Sequence, residues 1–268
     1  MRDLMIPGVA LLAAAALMPA PSLVAQTPSR LTDKDVKALI ETVDKGRDRF
    51  QDELDGKVKS SIVREPSHEV RVDKSLGDFK ESLEHLKDRF EPKYAASAEV
   101  ATVIRQATAI DTFMKKQPAN LKGMSEWQHL AVELSRLAEV YGTMFPLDGD
   151  NSARAVRRIN DGEAAAAAAK IEEEAGRVKD AVGDDKTLAE PAKKRLKEAA
   201  ELVKQQADKL KSRLKDSEPA TAEATLLFAA IRELDDASKG LNLPPASLNP
   251  MGALRAPLDT IRQAFRAM

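Results

Sequence analysis

The chain has 268 residues, with 42 basic and 43 acidic side chains and a formal net charge of −1. Such a balance gives no overall electrostatic attraction to nucleic acid or to acidic substrates. The sequence contains no cysteine, which excludes disulfides, thiolate metal sites and thiol catalysis. Its composition, dominated by charged residues, Ala and Leu, is typical of long helices.

The first 25 residues have the pattern of a secretory signal peptide. Arg2 gives a positive start, the stretch Leu4–Met18 is apolar, and the segment ends on the small residue Ala25. This order of charged, apolar and small residues is that of a cleaved signal. The apolar stretch is shorter than the roughly 20 residues that a membrane span needs. We therefore predict a signal peptide at 1–25 and a periplasmic or secreted protein, with an uncleaved membrane anchor as the alternative.

Apolar residues spaced by four and three predict helices in the first half of the mature chain. After a polar linker at 26–31, Thr32 is expected to cap the first helix. Ser125 and Gln128 form a capping box for the fourth helix. The four predicted helices have these approximate bounds: 32–66, 72–90, 96–114 and 125–141.

The second half shows a similar succession of helices and breakers. Asp161 and Ser217 are expected to cap helices, and Thr187 opens a capping box with Glu190. The segment 240–249 contains two adjacent prolines and is expected to be a loop. The predicted helices have these approximate bounds: 161–182, 187–214, 217–234 and 249–268. No stretch alternates apolar and polar residues between turn signals, so we predict no β-strands.

Long helices joined by short loops imply antiparallel neighbours, so the predicted fold class is all-α, built from antiparallel helical bundles. We expect one four-helix unit at 32–144, a linker at 145–160 and a second four-helix unit at 161–268. One fused bundle of all the helices fits the same pattern. A hydrophobic period of about 3.5 residues indicates left-handed supercoiling, as in a coiled coil.

The two halves show a degenerate internal repeat. An ungapped offset of 124 residues places 72–144 on 196–268 and aligns their apolar positions. The clearest shared motif is Ala-Ser-Ala-Glu at 96–99 against Ala-Thr-Ala-Glu at 220–223. Duplication of one ancestral unit explains such a match, and convergent patterning of amphipathic helices is the alternative.

One weak candidate for a metal site is formed by Glu126, His129 and Glu133. The first two have the helical spacing used in di-iron bundles, and Glu133 lies one turn further along. Such sites need about four carboxylates and two of these motifs, whereas the equivalent positions of the second half hold Pro and Ala. We therefore expect a solvated helix face, with no metal and no cofactor. Because no nucleophile elbow or phosphate-binding glycine loop is present, we assign no catalytic residue and predict that the protein is not an enzyme.

The charge pattern of the second half has two interpretations. Residues 161–185 carry eight acidic and three basic side chains, whereas residues 186–215 carry ten basic and four acidic ones. We expect these consecutive, oppositely charged helices to pair with each other. The alternative is a basic amphipathic helix at 186–215 that binds an anionic membrane surface.

Several segments resemble an uncharacterised family of bacterial secreted α-helical proteins that has no assigned activity. The resembling stretches are Arg49–Phe50, Leu86–Phe90, Ala95–Val100, Ile110–Met114, Trp127 and Leu137–Tyr141. The resemblance covers about residues 40–142. It implies export and a helical layout and adds no site residues.

These features favour an exported, non-enzymatic helical-bundle protein with a structural or protein-interaction role in the cell envelope. Its expected partner is a protein and not nucleic acid. One alternative is a periplasmic binding module that holds a small ligand or metal between helices. The other is a peripheral membrane-surface protein that binds through the basic helix at 186–215. Trp127, the sole tryptophan, is expected to fill the core at the start of its helix.

Overall fold

The computed structural model describes residues 30–64, 69–91, 94–148 and 157–266. The predicted signal peptide and most of the linker at 26–31 lie outside the described residues, as does part of the linker at 145–160. The elements are α1 (Asp33–Glu53), α2 (Gly56–Lys59), β1 (Ile62–Arg64), β2 (Glu69–Arg71), α3 (Val72–Arg89), α4 (Ser97–Met114), α5 (Met124–Val140), α6 (Asp161–Asp184), α7 (Glu190–Lys215), α8 (Thr221–Ser238), α9 (Pro245–Ala253) and α10 (Arg255–Phe265). Helices dominate, which confirms the predicted all-α fold class.

The heptad-spaced segments form the helices that agree best with prediction. α3 and α4 begin and end within one residue of the predicted bounds. The apolar side chains on the expected face of α3 are all buried: Val72, Leu76, Phe79, Leu83 and Leu86. Burying one such side chain stabilises the fold by about 1.5–3 kcal/mol, so this face holds α3 against its neighbours.

The first helix ends earlier than predicted. α1 stops at Glu53, Leu54 is extended, and Asp55 caps the short helix α2. The Asp55 carboxylate accepts a hydrogen bond from the Lys57 N–H at 2.7 Å. A side chain that hydrogen-bonds the local backbone in this way competes with continuation of the preceding helix.

The prediction that the chain has no strands is wrong between the first and second long helices. β1 and β2 pair antiparallel, with Val63 opposite Val70, and both valines are buried. β-branched residues suit such a ladder. Each strand has only three residues, too few for an alternation of apolar and polar positions to be recognised in the sequence.

The four long helices of the first half pack as a bundle. α1 and α4 each contact both α3 and α5. Trp127, at the start of α5, packs on Phe50 with ring centroids 5.0 Å apart. Its indole N–H donates to Asp111 Oδ1 at 3.1 Å, which satisfies the polar atom of this buried ring. The predicted core position of Trp127 is confirmed.

The helices of the second half pack in the corresponding order. α7 lies between α6 and α8, and α10 contacts α6, α8 and α9. Lys179 Nζ lies 2.8 Å from Glu201 Oε2, and Lys211 Nζ lies 2.5 Å from Glu172 Oε2. Both ion pairs cross between α6 and α7, which pack against each other as predicted. The Lys211 pair joins the basic helix to the acidic one in the expected sense, whereas the Lys179 pair has the opposite sense.

Several helices begin at other residues than the predicted caps. Asn160, and not Asp161, caps α6. α5 begins after Gly123, whose φ of 91° is accessible to glycine at little cost. Thr187 does not cap α7, because its N–H and hydroxyl both donate to Asp185 Oδ1, at 2.7 and 2.6 Å.

The last three helices also differ from prediction at their starts. α8 begins at Thr221, four residues beyond the expected cap Ser217. α9 occupies part of the segment predicted to be a loop, and Pro250 lies inside it. The prolines at the start of α9 are compatible with a helix, because the first turn needs no backbone N–H donor.

The buried apolar side chains form two separate clusters. One extends from Val36 to Tyr141 and the other from Ile159 to Ile261. Where two described elements are in extensive contact, both contribute to the same half of the chain, either 33–140 or 161–265. We refer to α1–α5 with the two strands as unit 1, and to α6–α10 as unit 2. Among the described helices, none combines the length and apolar character needed to cross a bilayer.

Candidate functional site

The two units meet through two arginines and two aspartates at the entries to α1 and α6. Arg30 Nη1 bonds Asp161 Oδ1, and Arg158 Nη1 bonds Asp33 Oδ1. The exposed fractions of these side chains are 8%, 5%, 4% and 11%, respectively. Each pair joins a residue of the unit 1 side to one of the unit 2 side. We call the four residues the clasp.

Backbone hydrogen bonds make the clasp reciprocal. The Asp33 N–H donates to Asp161 Oδ2 at 2.8 Å, and the Asp161 N–H donates to Asp33 Oδ2 at 3.0 Å. The second terminal nitrogen of each arginine donates to a carbonyl of the other side, of Ile159 or of Leu31, at 3.0 Å. Each carboxylate also lies in the first turn of a helix, where the helix dipole favours negative charge.

The clasp is built from two similar local sequences. Arg-Leu-Thr-Asp-Lys-Asp at 30–35 corresponds to Arg-Ile-Asn-Asp-Gly-Glu at 158–163, an offset of 128 residues. Thr32 and Asn160 both cap their helices in complete capping boxes. These caps fix the chain entering each helix, so the arginine before the cap and the aspartate after it are held in the same geometry in both places.

Sequence reasoning missed the clasp because it placed both arginines in linkers. It treated the aspartates only as first-turn or capping residues. The signal that identifies the clasp is the repeated pattern of arginine, apolar residue, cap, aspartate, any residue and acid. Its offset differs by four residues from that of the longer repeat, so an ungapped comparison does not align it.

Aromatic rings cover both arginines of the clasp. The Arg30 guanidinium lies 5.5 Å from the ring centroid of Phe265 in unit 2, and the Arg158 guanidinium lies 6.0 Å from that of Phe90 in unit 1. Burial lowers the pKa of Arg30, and the positive charge of Arg158 acts in the same direction, while Asp161 opposes both. The clasp therefore holds two like charges close together, each compensated by an aspartate of the other side.

Tyr141 of unit 1 lies within electrostatic range of the clasp. Burial raises the pKa of its phenol, an effect opposed by Arg158 and reinforced by Asp33. The hydroxyl donates to the Ala95 carbonyl at 2.7 Å. Tyr141 thus remains a neutral hydrogen-bond donor that ties the end of α5 to the entry of α4.

A cavity of about 260 Å³ lies beside the clasp, where the entries of α1 and α6 meet the ends of α5 and α10. We call it the junction cavity. Among the described residues that line it are five arginines and one glutamate, together with an apolar wall. The lining residues are Arg30, Leu31, Arg136, Glu139, Val140, Arg157, Arg158, Ile159, Gln263, Ala264, Phe265 and Arg266.

Arg266 reaches across the junction cavity from unit 2 to unit 1. It follows α10 with φ of 46°, in the left-handed region, and its Nη2 donates to the Glu139 carbonyl at the end of α5. At the offset of 124 residues, Arg266 corresponds to Gly142, which lies just beyond α5 and has a φ of 73°. An arginine in this conformation costs about 1–2 kcal/mol, and here it provides a contact between the units.

The predicted metal-site candidates lie elsewhere, along a second cavity of about 390 Å³ between α1 and α5. Glu126, His129 and Glu133 all line this cavity, and Glu133 Oε2 lies 3.1 Å from Arg136 Nη1. His129 is exposed. Within the part of the chain that the structure describes, no group of three or more His, Asp or Glu side chains could hold a metal ion.

Comparison with protein-family models, with curated proteins and with solved structures finds no match for this chain. The resemblance to secreted helical proteins therefore stays a prediction.

Proposed function

We propose that the chain is an exported, non-enzymatic helical-bundle protein with a structural or protein-interaction role in the cell envelope. The observation that carries this proposal is the clasp, which joins two units that each have an apolar core. A buried ion pair gives little net stability, because desolvation offsets its Coulomb energy. Such a pair is better suited to setting one relative orientation, and a fixed orientation is what a scaffold needs to present two surfaces to its partners.

The N-terminal pattern supports the location of this role. An exported protein without cysteine has no disulfides and must be stabilised by burial. The two large apolar clusters supply this burial. Binding to an anionic membrane surface through the basic helix is the less favoured role, because α6 already pairs with Lys211 of α7.

We also infer that the two units descend from one duplicated unit. Three features support this inference: the repeated six-residue sequence of the clasp, the equivalent roles of its two copies, and the corresponding helix order of the units. A scaffold made from a duplicated unit would present two related surfaces.

The scaffold role is tested by photo-crosslinking in the cell envelope. Val132 on α5 and Leu226 on α8 are exposed apolar side chains of different units, and each is replaced in turn by a photoreactive residue. We expect the fractionated envelope to contain the same crosslinked protein from both positions. An Asp161→Asn variant should weaken the adducts, because its amide group faces two donors, the Arg30 guanidinium and the Asp33 N–H, with one acceptor oxygen in place of two.

The matched control is Asp259→Asn, the same chemical change at an exposed surface pair with Arg262. It should leave both adducts unchanged. Recovery of the protein in the cytoplasm would contradict export. Adducts that are identical in the wild type and in Asp161→Asn would show that the fixed orientation plays no part in partner binding.

A further inference from the structure

We propose that the junction cavity binds a small organic anion, with its carboxylate or phosphate held by Arg157 and Arg266 and its apolar body against Phe265. This inference is independent of the envelope role. It concerns a site of the purified protein and can be tested without knowledge of the partner.

The wall of the junction cavity is rich in positive charge. Two of the five lining arginines belong to the clasp and are compensated by Asp33 and Asp161. Among the described lining residues, Glu139 is the one carboxylate. The remaining arginines therefore bring more positive charge to the cavity than its wall compensates, which favours an anionic occupant.

Two arginines of the wall outside the clasp, Arg136 and Arg157, form only weak ion pairs. Arg157 Nη2 lies 3.9 Å from Glu163 Oε1, beyond hydrogen-bond distance, and the Arg157 side chain is 65% exposed. Arg136 pairs with Glu133 at 3.1 Å, and its side chain is 59% exposed. Exposed pairs of this kind contribute little free energy, so an anion bound in the cavity can take their place at low cost.

Arg266 lines the junction cavity with a guanidinium that can bind an anion. Its backbone adopts a left-handed conformation that favours glycine. Its guanidinium donates to the Glu139 carbonyl, which is a neutral acceptor, so this contact does not neutralise the positive charge of the arginine. The planar guanidinium has five donors, so it can keep the Glu139 carbonyl and also bind a carboxylate or phosphate. Such charge-assisted bonds are the strong ones in binding sites.

The size and wall of the cavity limit the occupant. Its volume of about 260 Å³ is below the range of about 300–1,000 Å³ that is typical of pockets for drug-sized ligands. The apolar wall includes Phe265, Val140 and Ala264. The occupant class is therefore an aryl or short alkyl carboxylate or phosphate monoester, with one charged end and one apolar end.

The test is calorimetric titration of the purified full chain with benzoate and phenyl phosphate. Benzamide, a neutral molecule of nearly the same shape as benzoate, is the matched ligand control, and inorganic phosphate tests the need for an apolar body. We expect saturable binding of the two aromatic anions, weakened by added salt, and much weaker binding of benzamide and inorganic phosphate. Arg157→Gln and Arg266→Gly should each weaken binding by roughly tenfold in Kd, the usual effect of losing one charge-assisted bond.

Arg266→Gly keeps a residue suited to the left-handed backbone, so we expect it to fold, which circular dichroism and a thermal melt verify. Arg232→Gln, on an exposed face of α8, is the control and should bind as the wild type does. The proposal is overturned if neither anion binds saturably at millimolar concentration, or if benzamide binds as tightly as benzoate. It is also overturned if a variant with both substitutions binds as tightly as the wild type.

Discussion

Removing the Asp33 carboxylate should destabilise the protein far more than removing a surface carboxylate. In Asp33→Ala, Arg158 loses its ion pair and the Asp161 N–H loses its acceptor. The Arg158 side chain is only 4% exposed, so its charge would stay buried without a carboxylate partner. Breaking one partner of a buried pair costs about 3–5 kcal/mol, and we expect the free energy of unfolding to fall by that amount.

The assay is equilibrium urea denaturation followed by two probes. Trp127 is the only tryptophan and is buried in the unit 1 core, so its fluorescence reports on unit 1. Circular dichroism reports the helices of both units. In the wild type, the clasp should make the two transitions coincide, whereas in Asp33→Ala they should separate because the units unfold independently.

A double-mutant cycle separates the clasp interaction from the effects of truncation. Asp33→Ala, Arg158→Ala and the double variant are compared with the corresponding set at Asp259 and Arg262, an exposed pair at 3.2 Å. We expect coupling of about 1–3 kcal/mol in the clasp and less than about 1 kcal/mol at the surface pair. The reasoning is refuted if Asp33→Ala costs no more than Asp259→Ala, or if the clasp substitutions are additive.

Three further predictions concern unit 1. Gly46→Leu should lower the free energy of unfolding by about 1–3 kcal/mol, because even a β-carbon at this position would lie 3.2 Å from Leu130 Cδ1; urea denaturation measures the change, and unchanged stability would contradict the close approach of Gly46 to Leu130. Trp127→Phe should cost about 1–3 kcal/mol, because Asp111 loses the indole donor; circular dichroism during denaturation detects it, and a neutral effect would show that the hydrogen bond is dispensable. The third prediction concerns the pH dependence of stability. Burial raises the pKa of Asp44, but hydrogen bonds from Lys87 and Arg47 outweigh this effect, so the pKa lies below its ordinary value. The stability contributed by this carboxylate is therefore present above its unfolded pKa of about 3.9 and is lost as the pH falls below that value. Lys87→Met should reduce this acid dependence in a pH series of melts, and an unchanged acid profile would exclude the pair as its source.

The sequence predicted the parts of the fold in which one dominant local signal acts. In α3 and α4, apolar residues at heptad spacing agree with proline stops, and the helix bounds follow. At the end of α1, the apolar pattern continues toward Ile62, but the local cap at Asp55 overrides it. Burial alone does not distinguish a helix end from a short strand, so β1 and β2 were missed.

The candidate site could not be predicted from local sequence patterns, for a different reason. The clasp depends on contacts between residues that are 128 apart, and neither arginine lies in an amphipathic pattern. The junction cavity depends in addition on the placement of α10 against the end of α5 through Arg266. In contrast, the Glu126 and His129 spacing was visible in the sequence, but spacing on one helix does not bring further ligands from other helices.

The most direct test of this account is a measurement of how the two units are oriented relative to each other. Electron spin resonance gives the distance distribution between spin labels attached at Val132→Cys and Leu226→Cys. Because the chain has no cysteine of its own, both labels attach only at these exposed positions, one on each unit. We expect one narrow distance distribution in the otherwise unaltered protein, and a broad one when Asp33→Asn and Asp161→Asn are added. A broad distribution in the protein with an intact clasp, or an equally narrow one without it, would contradict the role that we assign to these four residues.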